Sequence, residues 1–390
     1  MTNSGRWRIL AVLFAVRAAM GFQFQSVAAL APLLGRDLGI ELADIGLLIG
    51  LYLMPGVALA LPGGAIGQKF GDKNTVLFGL VLMVAGGVMM AALPSWEAQI
   101  AGRLLAGIGG VLLNVLMSKM VTDWFGGREI ATAMAIFVNS WPAGIAISLV
   151  ALPPIGAAYG VSAAFLATSA LLVLGFILLG LVYRPPAAAA APTAARLDSA
   201  TRRAVILAGV TWSLYNTGFA IIFSFSPSLL AEHGWSVTAA GSTASIVLWL
   251  ALLSVPLGGF LADRTGRPDA VLVVGCLSAA LLMALASRLD PLHLFVALGI
   301  VGGLPAGAIM SLPARVLEPG TRAVGMGIFY TVFYVGMAIG PVIGGWIATL
   351  AGTATAAFDF GAATLAACLF SLWLFHRRVP SADRAAAERA

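Results

Sequence analysis

Two guanidinium groups and one ammonium fall where a chain this apolar has least reason to put them. Arg17, Arg103 and Lys119 lie inside long apolar runs. A charge in hydrocarbon costs roughly 3 kcal/mol on insertion scales unless it is paired or wet. Arg17 stands eight residues past Ile9, so about 12 Å into its run if that run is helical. Its planar fork of donors suits a carboxylate or a small oxyanion. The competing reading is structural: the side chain snorkels to the nearer surface, or spends its donors on helix-end carbonyls. Helical spacing brings Gly21, Phe24 and Gln25 to roughly the face of Arg17. It groups Arg103, Gly107, Gly110 and Asn114 on a second face. It also aligns Trp212, Tyr215, Asn216, Phe219 and Phe223, and again Tyr330, Phe333, Tyr334 and Met337. For these aromatics, core packing competes with ligand contact. Lys119 is close enough to a run's end to snorkel.

What is missing narrows the chemistry. All 16 acids lie at or near predicted helix ends, in loops or in the tail, with Asp359 coming closest to entering a run. Proton-coupled carriers often need a titratable carboxylate in the core. Drug–proton antiport through a buried acid is therefore not expected, while exchange, uniport and proton symport through other groups stay open. No Ser/His/Asp set or metal-ligating cluster shares a face, so an enzyme is not expected. No Walker-type loop is present, so the chain would not use ATP, and no cofactor is expected. Cys276 and Cys368 sit within apolar runs and form no disulfide framework.

These residues must be positioned by elements that live in lipid. Of 390 residues, 60% are hydrophobic and 10% charged, against about 25% charged in soluble domains. A helix needs about 20 apolar residues to cross a bilayer. Twelve such runs are expected, at 9–34, 44–66, 74–93, 96–120, 130–151, 161–182, 204–230, 237–262, 269–286, 292–314, 323–351 and 355–375. They are continuous and too long for alternating barrel strands. The first is also too long for a signal-peptide core, and is expected to be retained. With the N-terminus inside, seventeen Lys and Arg fall on the inner side of the loops and two, Arg36 and Arg288, on the outer. The positive-inside rule then places both termini in the cytoplasm. The arginines are dispersed among spans, so no nucleic-acid face exists. An Ala/Pro-rich stretch after Arg184 reads as a linker. The expected organisation is a six-helix bundle at 1–183, a cytoplasmic linker at 184–203, a second bundle at 204–377 and a tail at 378–390.

The halves repeat. Gly64 to Lys73 follows the second span, and Gly259 to Arg267 follows the eighth, an offset of 195 residues. Ala131 to Phe137 is echoed by Ala323 to Phe329 at an offset of 192. Two echoes at nearly one offset argue for duplication. Two parallel six-helix halves suit a rocking carrier with its site between them.

On these residues the chain resembles the major facilitator superfamily. Gly259, Leu261, Ala262, Asp263, Arg264, Gly266 and Arg267 match its loop signature G-x-L-A-D-R-x-G-R. The first-half copy departs from it, with Gln68 in place of the acid and Asp72 where Arg is usual. Arg103 with Gly107 and Gly109 is similar to R-x-x-x-G-x-G. Gly336, Gly340, Pro341, Gly344 and Gly345 are similar to an antiporter glycine signature, here in the eleventh span. There is also a loose likeness to cyanate- and nitrate-type permeases and to organic-anion permeases. The resemblance implies an all-α membrane protein, with twelve transmembrane helices in two pseudo-symmetric bundles. It implies a cavity lined by the first, fourth, seventh and tenth helices, and so a substrate site at Arg17, Gln25, Asn114, Trp212, Tyr215 and Asn216. It implies gate and conformational roles for Gly64, Gly71, Asp72, Arg103, Gly259, Asp263, Arg264, Gly266, Arg267, Gly340 and Pro341. The acid and arginines after the eighth span would latch the inner gate when it is closed, or serve only as topology signals. Gly336, Gly340 and Gly344 would pack helices closely, with Pro341 as a kink or hinge. The expected protein is a monomeric inner-membrane carrier whose partners are lipid and a small solute, anionic on the Arg17 reading. Efflux of hydrophobic compounds and a non-transporting sensor are the alternatives.

Overall fold

The computed structural model describes residues 3–125, 130–185, 197–289, 291–317 and 322–378. Every element among them is helical. Twelve are long and apolar enough to cross a membrane: Gly5–Ala29, Leu42–Ala60, Asp72–Ala92, Trp96–Phe125, Ile136–Tyr159, Val161–Val182, Ser199–Glu232, Val237–Ala262, Pro268–Ala286, Pro291–Ser311, Val324–Ala351 and Thr355–Arg377. They are numbered here as spans one to twelve. The linker residues 186–196 and the tail from 379 lie outside the described residues.

Three expected spans are interrupted, each beside a proline. The first helix ends at Ala29, and a short helix Ala31–Leu38 follows with Pro32 in its first turn. The second breaks at Met54, with Pro55 opening the next segment. The tenth stops at Gly302 and restarts at Pro305. A proline lacks the N–H that would bond four residues back, and its ring crowds that carbonyl. Apolar periodicity is blind to this. The seventh span starts at Ser199, inside the expected linker. Asp198 caps it, accepting from the N–H groups of Ala200 and Thr201 at 3.1 and 3.3 Å. These bonds, Thr201 foremost, hold the exposed carboxyl below its ordinary value.

The duplication is written into the backbone. Among the described residues six glycines adopt positive φ: Gly39, Gly71, Gly160, Gly234, Gly266 and Gly352. They pair as 39 with 234, 71 with 266, and 160 with 352, at offsets of 195, 195 and 192. A left-handed turn closes the same corner in each half, where a side chain would be strained.

Three apolar cores hold the molecule together. One is built wholly from buried residues of the first half, including Leu13, Leu80, Leu113 and Phe137. A second is built from those of the other half, including Ile221, Phe295 and Phe358. The third joins the halves. It sets Leu30, Ile45, Ile49, Ile145 and Leu149 against Phe223, Ala244, Leu248 and Met337.

That bridging core lies towards the end of the bundle away from the two termini. There the halves touch through bare backbone. A Cβ on Gly46 would strike the carbonyl of Pro341, and one on Gly50 that of Ala338. One on Gly345 would strike the carbonyl of Leu42, and one on Gly241 that of Leu149. Gly46 and Gly241 are 195 residues apart, and Leu149 and Pro341 are 192 apart. These are thus the same contact made twice. The Ala43 N–H also donates to Thr349 Oγ1 at 2.9 Å. Gly336, Gly340 and Gly344 pack elsewhere, against Ser213, Thr217 and Ile221 of the seventh span in their own half. The glycine stripe is close packing within a bundle, and the seam between bundles runs on another face of the same helix.

Candidate functional site

The first span places Arg17 against the fifth. Its Nη1 donates to the carbonyls of Phe137 at 3.1 Å and Val138 at 3.0 Å, and approaches Ser140 Oγ at 3.4 Å. Val138 precedes Pro142 by four residues. Pro142 lies inside that helix, so Val138 O has no N–H to accept from within its own helix. Arg17 supplies the donor. Its Nε donates to Asn114 Oδ1 at 3.1 Å, and Asn114 Nδ2 donates to Tyr334 Oη at 2.8 Å, across to the other half. The guanidinium lies over the Phe137 ring, 4.8 Å from its centroid. Nη2 makes no hydrogen bond among the described residues, and the side chain is only half-buried.

Facing it across the interface is an aromatic wall. Trp212 stacks on Tyr215 at 5.6 Å between centroids, and Tyr215 on Phe219 at 5.8 Å. Phe333 bridges Trp212, at 6.3 Å, to Tyr334, at 5.3 Å. Trp212, Phe219 and Phe333 are half-buried and Tyr330 is 39% exposed. Asn216 is half-buried, its Nδ2 turned back to the Trp212 carbonyl at 2.8 Å. Arg17, Asn114, Trp212 and Asn216 each keep some exposure, and the first three are linked through Tyr334 and Phe333.

Two other expected site residues do not. Tyr215 is buried, and its hydroxyl donates to Gly302 O at 2.8 Å. At the break in the tenth span the Ala306 N–H turns to Gly303, which leaves Gly302 O to the tyrosine. Gln25 is fully buried at the closed end, and its Nε2 donates to Phe223 O at 2.6 Å. Phe223 precedes Pro227 by four residues, so this too is a carbonyl freed by proline. Gln25 thus ties the first span to the seventh across the two halves. Its Oε1 is buried without a partner. Helical spacing located Gln25 correctly on a face but could not say what covers that face. Prolines four residues after Val138 and Phe223 were the signal available.

Arg103 is fully buried within the first half. Nε donates to Leu48 O at 2.9 Å, Nη1 to Gln23 O at 3.1 Å and Nη2 to Phe24 O at 2.9 Å. The guanidinium also lies 4.6 Å from the Tyr52 ring centroid. It braces the first, second and fourth spans.

The loop signatures sit at the end that carries the termini. Gly71 and Gly266 provide the left-handed turns. Asp72 pairs with Lys119 at 2.6 Å, and Lys119 with Asp123 at 2.8 Å. Lys119, expected to snorkel to the interface, is partly exposed and sits at the centre of this ion triad. Lys73 Nζ caps the sixth span through Gly180 O and Tyr183 O at 2.7 and 2.8 Å. In the second half, Arg264 and Arg267 are exposed, and Arg264 lies 5.8 Å from the Phe260 ring centroid. The surroundings of Gly64 and the side chains of Gln68 and Asp263 lie outside what the structure describes. Gly259 has open space where a Cβ would stand, while Gly340 abuts Thr217.

Comparison with known proteins agrees with this architecture. The profile of the Major Facilitator Superfamily matches residues 13–225 and 207–390. An uncharacterised MFS-type transporter of Mycobacterium tuberculosis is 26% identical over 367 residues, covering 90% of this chain and 81% of its own. The multidrug efflux protein YfmO of Bacillus subtilis is 24% identical over 350 residues, covering 86% of each. A probable nitrate/nitrite transporter, NarK2, of Mycobacterium tuberculosis is 24% identical over 302 residues, covering 72% of this chain and 73% of its own. Among solved structures, an inward-facing bacterial homologue of the human lysosomal transporter Spinster superposes with a TM-score of 0.75 at 16% identity, covering 97% of both chains. Duplicated six-helix halves, a seam closed at one end and a profile match spanning both halves make this chain a member of the Major Facilitator Superfamily, a family of transporters and not of enzymes.

Proposed function

We propose that the protein carries a small anion across the bacterial inner membrane by alternating access, with Arg17 as the anion's ligand. The observation that carries this is Arg17 Nη2, which makes no hydrogen bond among the described residues while Nε and Nη1 are both bonded and the side chain keeps some exposure. The acids nearest the termini end of that region, Asp72 and Asp123, are engaged by Lys119. Nε and Nη1 fix the plane of the guanidinium, so the free edge is presented in one orientation. With the termini in the cytoplasm, the closed end is the outer one and the site is reached from inside. The chain works as a monomer, since both walls of the site come from its own halves. The relationship to a nitrate/nitrite transporter is in keeping with an anionic cargo. The aromatic wall favours one other reading, efflux of hydrophobic compounds, and the related YfmO carries that description.

The test is a thermal-shift screen of purified protein against small anions, followed by uptake into proteoliposomes. Arg17→Gln should abolish anion uptake while insertion and melting temperature are largely kept. Arg17→Lys should be impaired as well, because a point charge does not reproduce the fork. Full anion uptake in Arg17→Gln would return Arg17 to a structural role. Uptake of neutral lipophilic compounds instead would favour efflux.

A further inference from the structure

The two walls of the site are the same place in a duplicated chain. Arg17 and Trp212 are 195 residues apart. That is also the separation of Phe24 from Phe219 and of Pro32 from Pro227 along the first and seventh spans. Where one half presents a guanidinium, its copy presents an indole.

From this pairing we infer that the cargo is an amphipathic monoanion with a flat unsaturated body, of the aryl carboxylate class. The inference rests on the anion reading above and adds the body to the charge. One pole of the site is a single guanidinium with one unspent nitrogen. The next ammonium along the fourth span, that of Lys119, is already shared by Asp72 and Asp123. A second negative charge on the cargo would therefore face rings, which cannot pay for its desolvation. The opposite pole is Trp212 with Phe219, Phe333 and Tyr330, all at least partly open. Aromatic faces and edges of this kind favour another ring over water. The indole Nε1 of Trp212 is buried with no acceptor among the described residues, a donor that an oxygen on the ring of a cargo would satisfy on displacing what covers the indole edge. A bare inorganic anion would use the first pole and leave the second idle.

Calorimetry on the full-length protein in nanodiscs decides the matter, with benzoate, acetate, nitrate, phthalate and benzamide as probes. Benzoate should bind at least about tenfold more tightly than acetate, nitrate or phthalate, the equivalent of about 1.4 kcal/mol, and benzamide should not bind. Trp212→Leu should weaken benzoate by about tenfold and leave acetate and nitrate within about twofold. Trp212→Phe, which keeps a ring, should retain most of the benzoate affinity and guards against a folding defect in the leucine variant. If acetate or nitrate binds as well as benzoate in the wild-type protein, or Trp212→Leu leaves benzoate unchanged, the aryl inference fails while the anion reading stands. If benzamide matches benzoate, or Arg17→Gln binds benzoate normally, the anion reading falls and takes this inference with it. Absence of binding by all the anions overturns both.

Discussion

Arg17 and Arg103 are both guanidinium groups inside membrane spans of the same half, yet their surroundings assign them opposite work. Arg103 is closed over, and each of its nitrogens ends on a backbone carbonyl. Arg17 is half-open, with two nitrogens fixed and one unspent. A guanidinium closed over, with a bond from every nitrogen, stabilises the structure around it and offers a solute no free edge. One held in place with a nitrogen unbonded and some exposure keeps an edge that a solute can reach. The comparison teaches that the unbonded edge and its exposure distinguish these two arginines, where residue type and depth do not.

The harshest way to break the comparison is Arg103→Leu. Three buried carbonyls would each lose a charge-assisted hydrogen bond. Each such bond is worth about 1.5–3 kcal/mol, so membrane yield and melting temperature should fall. A well-folded Arg103→Leu protein with normal melting would undo the assignment of Arg103 as a brace.

Pro142→Ala sharpens the other side. The new N–H would bond Val138 O and compete with Arg17 Nη1 for it. A hydrogen bond to a charged group is worth about 1.5–3 kcal/mol. Anion affinity should drop by about tenfold or more while melting temperature is held or raised. Unchanged affinity would show that the plane of the guanidinium is set elsewhere.

The smallest effect is expected at Gln25→Glu. The substitution keeps the size of the side chain and removes the donor that meets Phe223 O when the acid is ionised. One hydrogen bond is worth about 1 kcal/mol, so the closed end should open about fivefold more often. Cysteine accessibility from the outer side would measure it. Lowering the pH through the titration of the new acid should restore the contact, because the protonated carboxyl can donate. Accessibility that does not change, or that rises as pH falls, would remove Gln25 from the gate.

Much of the fold was legible because lipid leaves few options. Apolar length alone located the twelve spans, and the echoes at 195 and 192 residues exposed the two halves. The breaks at Met54 and at Gly303 and Leu304 were not legible, since a proline in a continuous apolar run can kink a helix or end it. Of the expected site residues, Arg17 and Asn114 are hydrogen-bonded, and Trp212 and Asn216 keep some exposure on the other half. Gln25 and Tyr215 are polar residues on the expected faces, but each is turned to a neighbouring backbone carbonyl. Which neighbour covers a residue is tertiary information. So is the difference between Arg17 and Arg103, which depends on the carbonyls within reach.

The glycine contacts between the second and eleventh spans, and between the fifth and eighth, carry a mechanical consequence. Backbone rests on backbone at these glycines, beside the branched and aromatic side chains of the bridging core. Dispersion at such a joint decays within about an ångström of separation. The joint is therefore brittle and not elastic: it holds at full strength or has already let go. A carrier sealed in this way dwells in its end states and passes quickly between them, because a half-opened seam has lost its attraction before water has room to enter.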